Sequence, residues 1–216
     1  LGAKFKNKFT GSFGLGCFSF FPTKNITTTE GGMLTFQDKN LYEKAKKIIA
    51  HGIEKNLKKN FWHRESVLAG HNYRLPNHLA ALGYSQLKKL NLFNQKRNRI
   101  AKIYDKELAH FDKFFIVQKI PKYCTHSYQM YTARVPRKLR SKFLNFMRNY
   151  RIEVSAHFDP PLHQQKYLKK FYKKELPKTD ILSKEIVTLP IYPDMKREEV
   201  YFVIDTIKKF VSKLKL

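Results

Sequence analysis

The sequence predicts an α/β chain in which a region of short strands and turns leads into one long helix and then into a small α+β domain. Three observations carry that expectation. Two short apolar runs, Cys17 to Phe21 and Met33 to Phe36, flank a hydroxyl-rich turn, as paired strands would. From Asn77 to about Phe111 apolar residues recur at roughly helical spacing, over a length that naturally bridges two domains. Beyond that helix, strand-like and helix-like stretches alternate. At 216 residues, 42% hydrophobic and 14% aromatic, the chain has ample material for a packed core.

Taken in order, Gly11-Ser12-Phe13-Gly14-Leu15-Gly16 suggests a nucleotide-binding loop, but its spacing is GxxGxG and a strand follows it. These glycines read instead as turns into a short buried strand, Cys17 to Phe21, which Pro22 ends. Gly31-Gly32 precede the second apolar run. Asp38 is placed to cap a helix over 39–50, with Leu41, Ala45, Ile48 and Ile49 on one face and His51-Gly52 at its end. Residues 53–69 read as a long surface loop of a kind that often carries function. Leu79, Leu82, Leu87, Leu90, Ile100, Ile103 and Leu108 define one long or kinked helix, with Asn91 to Asn94 as the candidate break in the run. A domain boundary near residue 105 gives two domains, 1–105 and 106–216.

In the second half, 126–135 reads as a strand, 137–150 as a helix, 152–157 as a strand, and 187–189 as a short extended piece after a loop with short helices. Asp194 would cap a last helix over 194–214, with Glu198 and Glu199 in its first turns and lysines in its last, as the helix dipole prefers. Val200, Val203, Ile204, Ile207, Phe210, Val211 and Leu214 make this a domain-packing helix rather than a membrane-surface one. There is no internal repeat and no low-complexity segment.

Between the two apolar runs of the first region stands a single lysine, Lys24, in the turn Pro22-Thr23-Lys24-Asn25-Ile26-Thr27-Thr28-Thr29. An amine partly withdrawn from water can act as a nucleophile, and Schiff-base formation with an aldehyde is its commonest use. Ser19 and the threonines would offer the donors a phosphate needs. Taken alone, Lys24 reads equally as one of 43 Lys+Arg residues solvating a loop. Asn72 and Arg74, at alternating positions in an extended segment before Pro76, would face one ligand, or else belong to an ordinary turn entering a helix.

Four segments in order settle that choice: Phe18-Ser19-Phe20 with Lys24-Asn25, the threonines and Glu30-Gly31-Gly32-Met33; Gly70-His71-Asn72-Tyr73-Arg74-Leu75-Pro76; Ala80-Ala81-Leu82-Gly83 with Gln86-Leu87; and Pro160-Pro161-Leu162-His163. In these the chain resembles the DegT-type (DegT/DnrJ/StrS) pyridoxal-phosphate-dependent sugar aminotransferases, and it resembles the later part of a member. The resemblance implies the C-terminal part of a fold-type I aminotransferase: the end of a large cofactor domain, a bridging helix and a small α+β domain. It implies transfer of an amino group, with glutamate as expected donor, to a nucleotide-linked keto-sugar through a Schiff base of pyridoxal 5'-phosphate, for cell-surface polysaccharide or glycan sugars. It assigns Lys24 as catalytic and cofactor-holding, Ser19 to the cofactor phosphate, and Asn72 to the same phosphate from a neighbouring subunit, hence a homodimer. Arg74 and His163 are assigned to substrate; His157 is left as structural.

Two positions depart from the family: His71 stands where Tyr is usual, and Thr29 where Gly is commoner. Lys24 itself argues against the subclass of dehydratases that replace this lysine with histidine. The chain opens on Leu1 directly into a Gly-rich, strand-like passage, so it is expected to be cut from something longer. Family members carry much of the cofactor domain upstream, including the acidic residue that pairs with the pyridinium nitrogen. A catalytically incomplete fragment is therefore one rival reading.

The formal net charge of +26 raises another, a basic protein for nucleic acid or an anionic surface. The lysines are spread along the whole chain, which fits a compositional bias, and a nucleotide diphosphate would also welcome them. The expectation is therefore no nucleic acid. Two cysteines, Cys17 and Cys124, make neither a disulfide framework nor a CxxC pair, which fits a reducing cytoplasm. Apolar runs of about five residues fall far short of the roughly 20 that span a bilayer, so no membrane insertion is expected. Eight histidines without HExxH or paired Cys/His spacing suggest no metal site.

Overall fold

A computed structural model describes residues 1–54, 60, 62–172 and 174–214. The chain divides into two compact units, residues 1–91 with 122–126 and residues 92–121 with 127–216.

In the first unit β1 (Lys4–Phe5) and β2 (Lys8–Phe9) form a tight hairpin. The pair β3 (Gly16–Ser19) and β4 (Gly32–Thr35) is antiparallel, with Cys17 opposite Leu34 and Phe18 opposite Met33. These are the expected strands, but not the expected burial: Cys17, Met33 and Leu34 are exposed. A two-stranded ribbon has no further strand to cover it, so its side chains stay in contact with solvent. Helix α1 (Lys39–Ile48) starts where expected, with Asp38 Oδ1 accepting from the N–H groups of Asn40 and Leu41 at 2.7 and 3.2 Å. It stops at His51 and Gly52, both at positive φ, and a side chain on Gly52 would meet the Leu68 carbonyl oxygen at 1.7 Å.

The expected loop over 53–69 contains a short antiparallel pair, β5 (Ile53–Glu54) and β6 (Glu65–Ser66); 55–59 and 61 lie outside the described residues. Helix α2 (Asn77–Leu108) runs unbroken for 32 residues. It continues through Asn91 to Asn94 as the one long helix read from the spacing, because asparagine costs a helix well under 1 kcal/mol and keeps its N–H. The division between the two units falls inside this helix.

Strand β7 (Ile116–Val117) belongs to the second unit, whereas β8 (Cys124–Thr125) returns to pair with β1. The second unit's sheet is completed by β9 (Tyr131–Arg134), which β7 flanks on one side. Helix α3 (Arg137–Asn149) and the short α4 (Pro177–Ser183) precede β10 (Ile186–Leu189), which pairs with the other side of β9. The expected strand over 152–157 is reduced to one bridge, Ser155 with Thr188. Its first residue has another commitment: the Ile152 N–H caps α3 by donating to Met147 O at 3.1 Å.

Helix α5 (Arg197–Ser212) buries Val200, Val203, Ile204, Ile207 and Phe210, the face read from its spacing. Its start differs from the expected Asp194 cap: the Glu199 carboxylate accepts the Lys196 N–H at 2.7 Å, while Asp194 takes Lys96 Nζ at 2.7 Å. Against α5 pack the rings of Phe114, Phe143 and Phe146, with centroids 5.2–5.5 Å from that of Phe210.

Two tyrosines close this core. Tyr104 donates to Pro190 O at 3.0 Å and Tyr131 to Asp105 Oδ1 at 2.7 Å. Burial raises the pKa of both, and the bond to Asp105 raises Tyr131 further. The unfolded chain releases these protons near pH 10, while the folded chain still holds them. Their stabilisation is therefore complete below about pH 10 and lost above it. Thermal melts should show a steeper loss of stability between pH 9 and 11 for the native chain than for Tyr131→Phe; parallel curves would exclude this linkage.

Candidate functional site

The residues between β3 and β4 form a pinned loop rather than a free one. Phe20 N–H donates to Gly31 O at 2.9 Å, extending the ribbon by one pair. The Phe20 carbonyl then collects two donors, Thr28 N–H at 3.0 Å and Thr27 Oγ1 at 2.8 Å. Thr28 Oγ1 donates to Glu30 O at 2.6 Å. Asn25, Ile26 and Thr28 are buried, so the outer part of the loop is held by the polar core of its own turn. Lys24, whose N–H donates to Phe21 O at 3.0 Å, sits half-buried at the head of this segment. Among the described residues no carboxylate forms an ion pair with its amine. Ser19 ends β3, and its Oγ accepts the Phe21 N–H at 3.4 Å.

Close approaches fix the loop's neighbours. A side chain on Gly83 of α2 would stand 2.8 Å from Thr28 Cγ2, and one on Gly31 would stand 2.7 Å from Leu75 Cδ1. The Ala80-Ala81-Leu82-Gly83 and Asn72-to-Pro76 segments thus pack beside the lysine loop because small residues stand at both contacts.

Thr29, where the family favours Gly, has φ +67°, a region hostile to a β-branched residue. Thr29→Gly is expected to stabilise the chain by about 1 kcal/mol, the strain relieved less the entropy a glycine adds. Gly31→Ala, at φ +135° and against Leu75, should destabilise it by about 1–3 kcal/mol. Urea unfolding of the two variants checks both signs, and equal shifts would refute the strain argument.

The second segment is laid across the end of α1. His71 and Tyr73 N–H groups donate to Ile48 O and Ile49 O at 2.8 and 3.0 Å, satisfying carbonyls that the helix leaves open. Alternation then separates the side chains: the His71 ring stacks on Tyr73, centroids 4.8 Å apart, while Arg74 Nε donates to Asn72 Oδ1 at 3.0 Å. Asn72 and Arg74 do share a side, and both are exposed. A groove of about 460 Å³ that sequence reasoning missed runs between the ribbon and α1, lined by Phe18, Met33, Tyr42, Tyr73 and Leu75 among others. Its residues are scattered from Cys17 to Leu75, so no local pattern announces it.

His163 belongs to the second unit. Its Nε2 is 2.8 Å from Asp180 Oδ1, which also accepts from Gln164, so the imidazole is oriented by a carboxylate. It borders a cavity of about 560 Å³. His157 Nδ1 lies 3.0 Å from both Ser155 Oγ and Thr188 Oγ1, a structural setting as read from the sequence. Among the described residues no three His, Cys, Asp or Glu side chains gather as a metal site would need, and no helix is long and apolar enough to cross a membrane.

Against known families, the sequence model of the DegT/DnrJ/EryC1/StrS aminotransferase family matches residues 1–208. Among curated relatives, the UDP-4-amino-4,6-dideoxy-N-acetyl-beta-L-altrosamine transaminase of Campylobacter jejuni is 33% identical over 100% of this chain and 57% of its own length. The GDP-perosamine synthase of Escherichia coli O157:H7 is 32% identical over 98% of this chain and 56% of its own. Among solved structures, PseC of Helicobacter pylori, an aminotransferase involved in the biosynthesis of pseudoaminic acid, superposes with a TM-score of 0.87. It is 28% identical over 97% of this chain and 56% of that one. The chain therefore spans a little over half the length of the relatives it matches.

Proposed function

Because this chain belongs to the DegT/DnrJ/EryC1/StrS aminotransferase family, we propose that it forms the lysine-bearing part of a pyridoxal-phosphate-dependent aminotransferase acting on a nucleotide-linked keto-sugar. The observation that carries the reading is Lys24: a half-buried amine with no ion pair among the described residues, at the head of a loop fixed by its own hydrogen bonds. The donor set fits the cofactor's aldehyde and phosphate, with an amine at Lys24, a hydroxyl at Ser19 and an amide at Asn72. The relatives named for UDP-linked and GDP-linked sugars support a nucleotide-linked substrate.

In this reading Lys24 Nζ holds the cofactor covalently, and Ser19 Oγ and Asn72 Nδ2 hydrogen-bond its phosphate, Asn72 from the second copy of a homodimer. The bound cofactor supplies an electron-withdrawing ring that eases removal of a proton from carbon. With glutamate as the amino donor, the Lys24 amine, no longer bonded to the cofactor, would take that proton at Nζ and return it to the neighbouring carbon, as base and then as acid. Arg74 and His163 bind substrate, His163 oriented by Asp180. Residues 1–105 end the cofactor domain with its bridging helix and 106–216 form the small domain, in a cytoplasmic enzyme that makes amino sugars for surface polysaccharide. The share of the relatives' length that the chain spans also favours a second reading, that the chain alone is catalytically incomplete.

One experiment tests both. Incubation with pyridoxal phosphate, borohydride reduction and peptide mapping should place one label on Lys24. Label on Lys24 only when the chain is joined to the N-terminal part of a relative would support the second reading. Label scattered over many lysines, or absent in both forms, would refute the cofactor assignment.

A further inference from the structure

The second unit holds a buried charge that nothing in the chain balances. Arg97, on α2, is 7% exposed, and it is the one Asp, Glu, Lys or Arg that is buried among the described residues. It shares a helical face with Ala101, Tyr104 and Leu108, all of them fully buried. Its Nε and Nη1 are enclosed and have no hydrogen-bond partner. Every Asp and Glu of the chain lies within the described residues, and none forms an ion pair with Arg97. Several are committed elsewhere: Asp194 to Lys96, Asp105 to Tyr131, Glu107 to Lys208 and Glu185 to Arg134. Burial lowers the pKa of Arg97, but arginine starts so high that it stays charged at neutral pH, where a buried lysine would shed its proton. An uncompensated buried charge is among the costliest features a fold can carry. Resting on the reading that this chain is the later part of a longer aminotransferase, we propose that Arg97 receives a carboxylate side chain from the part of the protein that precedes it, and that this ion pair ties the second unit to that part.

The surroundings separate this partner from a free anion or a second copy. Arg97 is absent from the walls of the cavities of about 560, 770 and 460 Å³, so none of these leads a diffusing phosphate to it. Of its three nitrogens only Nη2 is not enclosed. The charge is shared by all three, so one carboxylate at Nη2 balances it. A side chain carried on a packed segment loses little further freedom in pairing there, whereas a free anion would give up both its mobility and its hydration. A second copy would bring the same excess of 43 Lys+Arg over 17 Asp+Glu, so its carboxylates are outnumbered as they are here.

The test compares urea unfolding of Arg97→Met in two forms, both without cofactor: the chain alone, and the chain joined to the N-terminal part of a relative. Methionine keeps the apolar stem and most of the volume and removes the charge. In the chain alone the variant should raise the folding constant about tenfold, because an unbalanced buried charge is gone. In the joined protein it should lower that constant about 100-fold, because the upstream carboxylate is left without its cation. Arg99→Met, at an exposed position of the same helix, should change either form by no more than about twofold. In the joined protein, Arg97→Glu should be restored by reversing one upstream Asp or Glu to Lys, which identifies the partner. A loss in both forms means that Arg97 is already satisfied within the chain, and a gain or no change in both means that no upstream carboxylate meets it; either result overturns the proposal, as does failure of every charge reversal. So does stabilisation of the chain alone by inorganic phosphate, or by raising its own concentration, that Arg97→Met removes. The outcome is separate from the label at Lys24: a joined protein that labels there but shifts alike in both forms keeps the aminotransferase reading and loses this one.

Discussion

Lys24→Ala is expected to lower amino transfer by about 10²–10⁴-fold, the range of a positioned general acid–base, and to abolish the borohydride-trapped label. Lys24→Arg should fail equally, because a guanidinium keeps its proton and has no free amine to offer. Stability should change little, within about 0.5 kcal/mol, because Lys24 is only half-buried and no ion pair among the described residues is broken. The separation between those two readouts is the informative result. Activity and label are measured in the chain joined to the N-terminal part of a relative if the chain alone is silent. A Lys24→Ala protein that still transfers amino groups at the native rate would remove the lysine from the mechanism.

The largest expected effect on stability lies in the second unit, at Phe143. Its ring is fully buried, with Phe114, Phe115 and Phe210 centroids at 5.9, 6.0 and 5.5 Å. Truncation to alanine opens a cavity that these aromatic neighbours cannot close without leaving their own rotamers. Phe143→Ala should therefore cost about 3–5 kcal/mol, a large part of a typical domain's stability of about 5–15 kcal/mol. Phe13→Ala, at an exposed ring, should stay within about 0.5 kcal/mol. Urea midpoints of the two variants decide the matter, and similar midpoints would mean that the aromatic cluster is not the core of the second unit.

Spacing and end signals sufficed for the α5 face, for the Asp38 cap of α1 and for the β3–β4 pair around Lys24. Each rests on neighbours within about ten residues, where hydrophobic period, capping and turn chemistry act directly. The exposure of Cys17 was not legible, because an apolar run shows what a strand would bury, not whether another layer is there to cover it. The strand expected at 152–157 failed for a related reason. Its first donor, the Ile152 N–H, is claimed by the end of α3, and one bridge, Ser155 with Thr188, is all that remains of it.

The sequence by itself determined the family, through four ordered segments, and with it the lysine on which the functional proposal depends. Only the tertiary structure decided what fixes the loop around that lysine: Gly83 and Gly31 close against Thr28 and Leu75, and the segment carrying Asn72 spans the end of α1. It also decided that Asp180 orients His163 from 17 positions away, and that the Lys170 ammonium lies over the rings of Tyr167 and Phe171. The physical reason is range. Propensity and period act along the chain, whereas contacts between distant segments arise only once folding has brought their surfaces together.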